Sequence, residues 1–368
     1  MSTRAPFRRR RAAVAAAALA ATLVAASCGG DDSADEGPAD GAAPDGPSGE
    51  VVVVAHDSFD LDDDMRAAFE EETGLTVTVQ QGGDAVSVVN QAILTAGDPL
   101  GDVLFGLDDA TLSRALDADL FVPHEAERLD EVDPALVLDD EHRVTPIDHG
   151  AVCVNYDAEW FASEGLEPPA DLAALADPAY ADMLVVQNPA SSSPGLAFLT
   201  ASVAEFGEDG WLDYWQGLED NGVDVAADWS DAYYTRFSGG AGEGDRPLVV
   251  SYGSSPPAEV LGLDPLPEEA PTGVVESTCV RQIEFAGVLA GAENPEGAAL
   301  LIDFLLSDRF QESIPLTYFV HPVIEGTELP EVFERFAVDP DDPYQLEPEV
   351  VADNRDRWID EWTDAVLR

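Results

Sequence analysis

From Val51 onward, short apolar runs alternate with stretches whose apolar residues recur at helical spacing, and this alternation restricts the fold more than any other feature. Residues 51–55 read as a buried strand, 65–72 as a helix closed by Thr73-Gly74, 75–80 as a strand, 86–96 as a helix and 103–105 as a short strand. Further on, 151–156, 184–187, 248–252 and 279–285 read as strands. Residues 195–206, 210–221, 230–237, 295–306 and about 351–367 read as helices. Strand and helix in turn predict an α/β chain with a doubly wound sheet. The stretch from Val51 to Arg368 is long enough for two domains and shows no internal repeat.

Charge narrows the function. The chain has 17 basic residues, all Arg, against 74 acids, a net charge of −57, which excludes nucleic-acid binding by phosphate neutralisation. Residues 1–27 follow a different chemistry. Arg4 and Arg8 to Arg11 precede an apolar run of Ala, Leu and Val, at 12–27 shorter than the roughly 20 residues a spanning helix needs, so it reads as a signal peptide. Ala25, Ala26 and Ser27 before Cys28 resemble a bacterial lipobox, which predicts lipidation of Cys28 as the mature N-terminus. Residues 29–50 carry Gly, Ser, Ala, Pro and acids but no aromatic, the composition of a flexible tether. Loss of residues 1–27, which hold five Arg and no acid, leaves a charge of −62. Such a chain reaches an anionic membrane through its lipid and not through charge.

Local words then appear in a telling order: His56-Asp57-Ser58-Phe59, Asp102 to Asp108 (DVLFGLD), Pro189 to Leu196 (PASSSPGL), Trp229 to Tyr233 (WSDAY), Leu248 to Ser255 (LVVSYGSS), Ile314-Pro315 and His321-Pro322. In this order the chain resembles the thiamine-binding periplasmic proteins, over roughly 51–368. The resemblance implies a two-lobed periplasmic-binding-protein fold of type II, each lobe a mixed sheet flanked by helices and joined by hinge strands. One lobe is expected from 51–147 with 281–322 and the other from 148–280, with a helical segment 323–368 packing on both. It further implies a monomer that holds thiamine or a thiamine phosphate between the lobes and passes it to an ABC permease and its ATPase.

Thiamine carries a flat aminopyrimidine, a permanent thiazolium cation and a hydroxyethyl arm, so a matching site needs aromatic faces, a carboxylate and amide donors. Trp229, Tyr252 and Phe319 match the family's ring-contacting positions, although a lone aromatic more often packs a core. Asp84, Asp108 and Asp148 are the candidate carboxylates, Asp84 first because it precedes a helix it could also cap. For an anionic or hydroxyl end, Ser191, Ser192, Ser193 and Gly195 open an apolar helix with Pro194 at its first turn, and Ser230 and Ser254 add donors. Asp57 and Ser58 after the first strand complete the set. His56, Asp63 and Ala258 stand where the family tends to have Tyr, Trp and Tyr.

Other chemistries fit less well. No Gly-x-Ser-x-Gly elbow is present, His124-Glu125 lacks the second His of a zinc helix, and Met65 replaces the Gly that a calcium loop at 60–71 requires. No enzyme activity, metal or cofactor is therefore expected. A ferric-iron receptor using Tyr252, Tyr233, Tyr234 and His56, or a polyamine receptor, is the alternative, ahead of a lipid-anchored hydrolase. Cys153 and Cys279, both in predicted strands of an exported chain, are expected to pair.

Overall fold

A computed structural model describes residues 49–368; the signal segment, Cys28 and nearly all of the tether lie outside the described residues. The chain runs β1 (Gly49–Ala55), α1 (Asp63–Thr73), β2 (Leu75–Gln81), α2 (Ala85–Leu94), β3 (Val103–Asp108), α3 (Asp109–Asp117), β4 (Phe121–Val122) and β5 (Thr145–Asp157). It continues through α4 (Ala158–Glu164), β6 (Leu184–Gln187), α5 (Ser193–Phe206), α6 (Trp211–Asp220), β7 (Asp224–Ala226), β8 (Leu248–Tyr252) and α7 (Pro256–Val260). Then come β9 (Thr272–Leu289), α8 (Pro295–Leu305), α9 (Asp308–Thr317), β10 (His321–Pro322), α10 (Glu331–Phe336) and α11 (Pro348–Val366). No helix among the described residues is long and apolar enough to cross a membrane.

The strands join in the order β2-β1-β3-β9-β5-β8-β6-β7, with β4 on β9 and β10 on β5. β1 lies parallel to β2 and β3, and β6 lies parallel to β7 and β8. β5 and β9 run antiparallel between these two parallel sets. Two apolar cores flank them. One gathers residues from β1, α1, β3, α8 and α9, the other from β8, α5, α6 and α11, and together they make the two lobes.

β5 and β9 extend well beyond the expected 151–156 and 279–285. Apolar periodicity lapses where Asp148, His149, Gln282 and Glu284 interrupt it, yet main-chain pairing runs through those positions. The ladder slips by three residues between Val152, opposite Val280, and Val154, opposite Val275. Thr278 Oγ1 accepts the Val154 N–H there at 2.8 Å, and Cys153 and Cys279 are joined in a disulfide at the same break. The expected helix at 230–237 is a π-helical turn, Asp231–Arg236, followed by an extended Phe237. The C-terminal helix α11 packs against α6 and α3 and buries Trp358 and Trp362 completely.

Candidate functional site

A cavity of about 340 Å³ opens between the lobes, floored by β5 and β9. That volume suits a small organic molecule. One wall is aromatic. Trp229 stacks on Tyr233 at 5.1 Å, meets Tyr234 edge-on at 5.4 Å and lies 6.4 Å from Tyr252, and all four line the cavity. Hydrogen bonds hold these rings: Trp229 Nε1 donates to Ser251 Oγ at 2.9 Å, and the Tyr233 hydroxyl donates to Glu259 Oε1 at 2.7 Å. Phe319 faces them from the other lobe with φ of +56°, rare for a bulky residue, while its carbonyl accepts from Ser254 Oγ at 2.6 Å.

Asp84 sits where the lobes meet. It occupies the cap position of α2 but makes no side-chain capping bond, contrary to the expected double duty. Its Oδ1 instead accepts the Ser193 N–H at 3.0 Å and its Oδ2 accepts the Trp229 N–H at 3.4 Å, both across the cleft. Burial raises the Asp84 carboxyl above its ordinary range, opposed by the Ser193 amide, His56 and the Trp229 amide.

This overturns the expectation of an anion site at the start of α5. The first amides of that helix meet the protein's own carboxylate, and Ser193 Oγ donates to Asp108 Oδ2. Asp108 itself is buried, caps α3 and stays off the cavity wall. Ser192 and Gly195 are likewise buried behind the wall, and a Cβ on Gly195 would stand 2.6 Å from the Gln187 carbonyl, so close packing on β6 explains that glycine. Ser254 supports Phe319 from behind.

The floor comes from alternate residues of two paired strands. Asp148 lies opposite Glu284 and Gly150 opposite Gln282, so a period of two aims all four positions at the cavity. Burial, with the neighbouring Glu284 carboxylate and a hydrogen bond to it, pushes the Asp148 carboxyl well above the usual range. His56 stands beside them, its Nε2 3.7 Å from Glu284 Oε1 and its Nδ1 accepting the Ser58 N–H at 3.3 Å. Burial pulls the His56 imidazole down, but Glu284, Asp84 and Asp57 outweigh it and the net shift is upward. Gly106, at φ +87°, makes room, since a Cβ there would stand 2.2 Å from the imidazole ring.

Of the sequence-selected residues, Asp57, Ser58, Asp84, Asp148, Ser193, Trp229, Ser230, Tyr252 and Phe319 line the cavity. Sequence reasoning missed Asp228, Glu259, Gln282, Glu284 and Tyr318. Gln282 and Glu284 carried a readable signal, polar residues two apart inside an otherwise apolar strand. His56 and Ala258, where family rings are replaced, also line the wall, whereas Asp63 opens α1 away from it. Six carboxylates border the cavity, from Asp57, Asp84, Asp148, Asp228, Glu259 and Glu284, and no Arg does.

The model of the bacterial extracellular solute-binding proteins matches residues 98–349. The thiamine-binding periplasmic protein of Escherichia coli is 29% identical over 322 residues, 86% of this chain and 94% of that one. A solved periplasmic thiamin binding protein superposes with a TM-score of 0.75 at 26% identity, covering 87% of this chain and 96% of that one. An iron uptake protein A1 of Synechocystis is 24% identical over 76% of this chain and 77% of its own. With that match over more than half its length, and an interlobe cavity on two crossing strands, the chain belongs to the bacterial extracellular solute-binding proteins.

Proposed function

We propose that this protein captures thiamine outside the cytoplasm, tethered through a lipid on Cys28, and presents it to an ABC permease for import. One observation carries the reading: an aromatic wall and six carboxylates enclose a cavity that no Arg enters, which selects a flat organic cation. Trp229 and Tyr252 supply ring faces, Asp84 supplies charge, and closure of the lobes excludes water that would otherwise weaken both. The carboxylates at the start of α5 favour thiamine over its mono- and diphosphate, whose charge they would repel.

Ferric iron is served less well. Its tyrosine ligands would have to ionise, and burial pushes the Tyr233 and Tyr252 phenols upward, aided by Glu259 beside the former and Glu284 near the latter. Titration calorimetry with thiamine, thiamine diphosphate, spermidine and ferric citrate decides among these. Tight binding of thiamine and weaker binding of the diphosphate are expected; iron or spermidine binding without thiamine binding would overturn the proposal.

A further inference from the structure

Three polar atoms on cavity-lining residues are buried and have no hydrogen-bond partner within the protein: Asp148 Oδ1, Gln282 Oε1 and His56 Nε2. Asp148 and Gln282 are each only 3% exposed. Leaving such atoms unmet is destabilising by about 1–3 kcal/mol each, so a trio on one floor calls for a ligand that meets them.

Each atom has a defined polarity. Gln282 Nε2 donates to Ser193 Oγ at 2.9 Å, which fixes the amide and leaves Oε1 as an acceptor. Asp148 is engaged with Glu284 on its cross-strand side, and its Oδ1 remains an acceptor. His56 Nδ1 already accepts the Ser58 N–H, so the neutral ring carries its proton on Nε2 and donates from there. Two acceptors and one donor form the complement of an exocyclic amino group, with two N–H donors, beside a ring nitrogen that accepts.

We infer that Asp148, Gln282 and His56 form a floor that reads the amino edge of a nitrogen heterocycle and sets the ligand specificity of the cavity. The inference rests on the thiamine reading, and within it assigns the aminopyrimidine end to the floor and the thiazolium end to the aromatic wall. Gly150, lying between Asp148 and Val152 without a side chain, leaves the space in which such an edge lies against β5 and β9.

The test compares thiamine with oxythiamine, in which a carbonyl oxygen replaces the amino group and turns donors into an acceptor. Calorimetry on the parent is expected to show thiamine bound at least about 100-fold more tightly, because the mismatch leaves buried acceptors facing an oxygen. Asp148→Asn, which adds a donor, and Gln282→Leu, which removes an acceptor, should each shrink that ratio by about tenfold or more. Equal binding of the two compounds by the parent would overturn the floor reading and leave thiamine as the ligand. A ratio unchanged in both variants would also overturn it, and binding of neither compound would overturn the ligand assignment together with it.

Discussion

Asp84 holds two backbone amides of the opposite lobe while bordering a cavity that a cation suits, so one carboxylate links ligand charge to closure. Asp84→Asn keeps the size and an oxygen but removes the charge. It should weaken thiamine by about tenfold or more, with a smaller effect on a neutral analogue lacking the thiazolium, and calorimetry reads both. Trp229→Ala removes the central ring of the aromatic wall and should weaken thiamine by at least about tenfold, as expected for a cation-to-ring contact of about 0.5–2 kcal/mol plus lost stacking. Unchanged affinity in both variants would move the ligand elsewhere. Asp109 tests a different property. It is buried behind the floor, and burial, with Asp108 beside it, pushes its carboxyl from 3.8 to about 7, partly offset by Arg281. The folded form keeps that proton to higher pH than the unfolded chain does, so the stability it brings is full below pH 3.8 and is lost as pH rises toward 7. Asp109→Asn should therefore melt progressively higher relative to the parent as pH rises from about 4 to 7, read by thermal unfolding across that range.

Among the elements, β5 and β9 carry the consequence of the disulfide. Cys153 and Cys279 lie 126 residues apart in sequence, and their bond fastens the two crossing strands where their ladder slips. Closing so long a loop stabilises by about 4–5 kcal/mol in the chain-entropy account. Cys153→Ser with Cys279→Ser should lower the unfolding free energy by about 2–5 kcal/mol in denaturant titrations; equal midpoints with and without the bond would refute this. These strands also mark how far the sequence could be read. β1, β2, β6 and β8 were legible because Val and Leu run unbroken through them, and α2 and α5 because their apolar residues are dense. The full length of β5 and β9 was not, since what holds Asp148 opposite Glu284 is tertiary register across more than a hundred residues. The same cause hid half of the site. Trp229 and Tyr252 could be found from local words, whereas Glu259, Gln282 and Glu284 reach the cavity only through pairing and packing. Asp84 was placed correctly beside the cavity but for a cap it does not form, because the opposite lobe supplies stronger amide donors than its own helix.

For the whole molecule, two cores on either side of crossing strands allow hinge motion with little disturbance to either core. Thiamine should shrink the radius of gyration measured by small-angle scattering. The difference between empty and loaded protein should be smaller at about 1 M salt, where the Debye length is about 3 Å, than at about 0.01 M, where it is about 30 Å. An empty form as compact as the loaded one at low salt would contradict the hinge.

The carboxylates around the cavity also govern what happens after delivery. Asp57 and Asp84 come from one side of the cleft, Asp228 and Glu259 from the other, with Asp148 and Glu284 between them. While a cation lies among them, they attract it and draw the sides together. Once it departs, the same groups face only each other in a medium of low dielectric, where like charges repel far more strongly than in water. Departure of the cargo thus loads a spring that the Asp84 bonds alone must restrain, and the receptor recocks itself for the next capture without drawing on ATP.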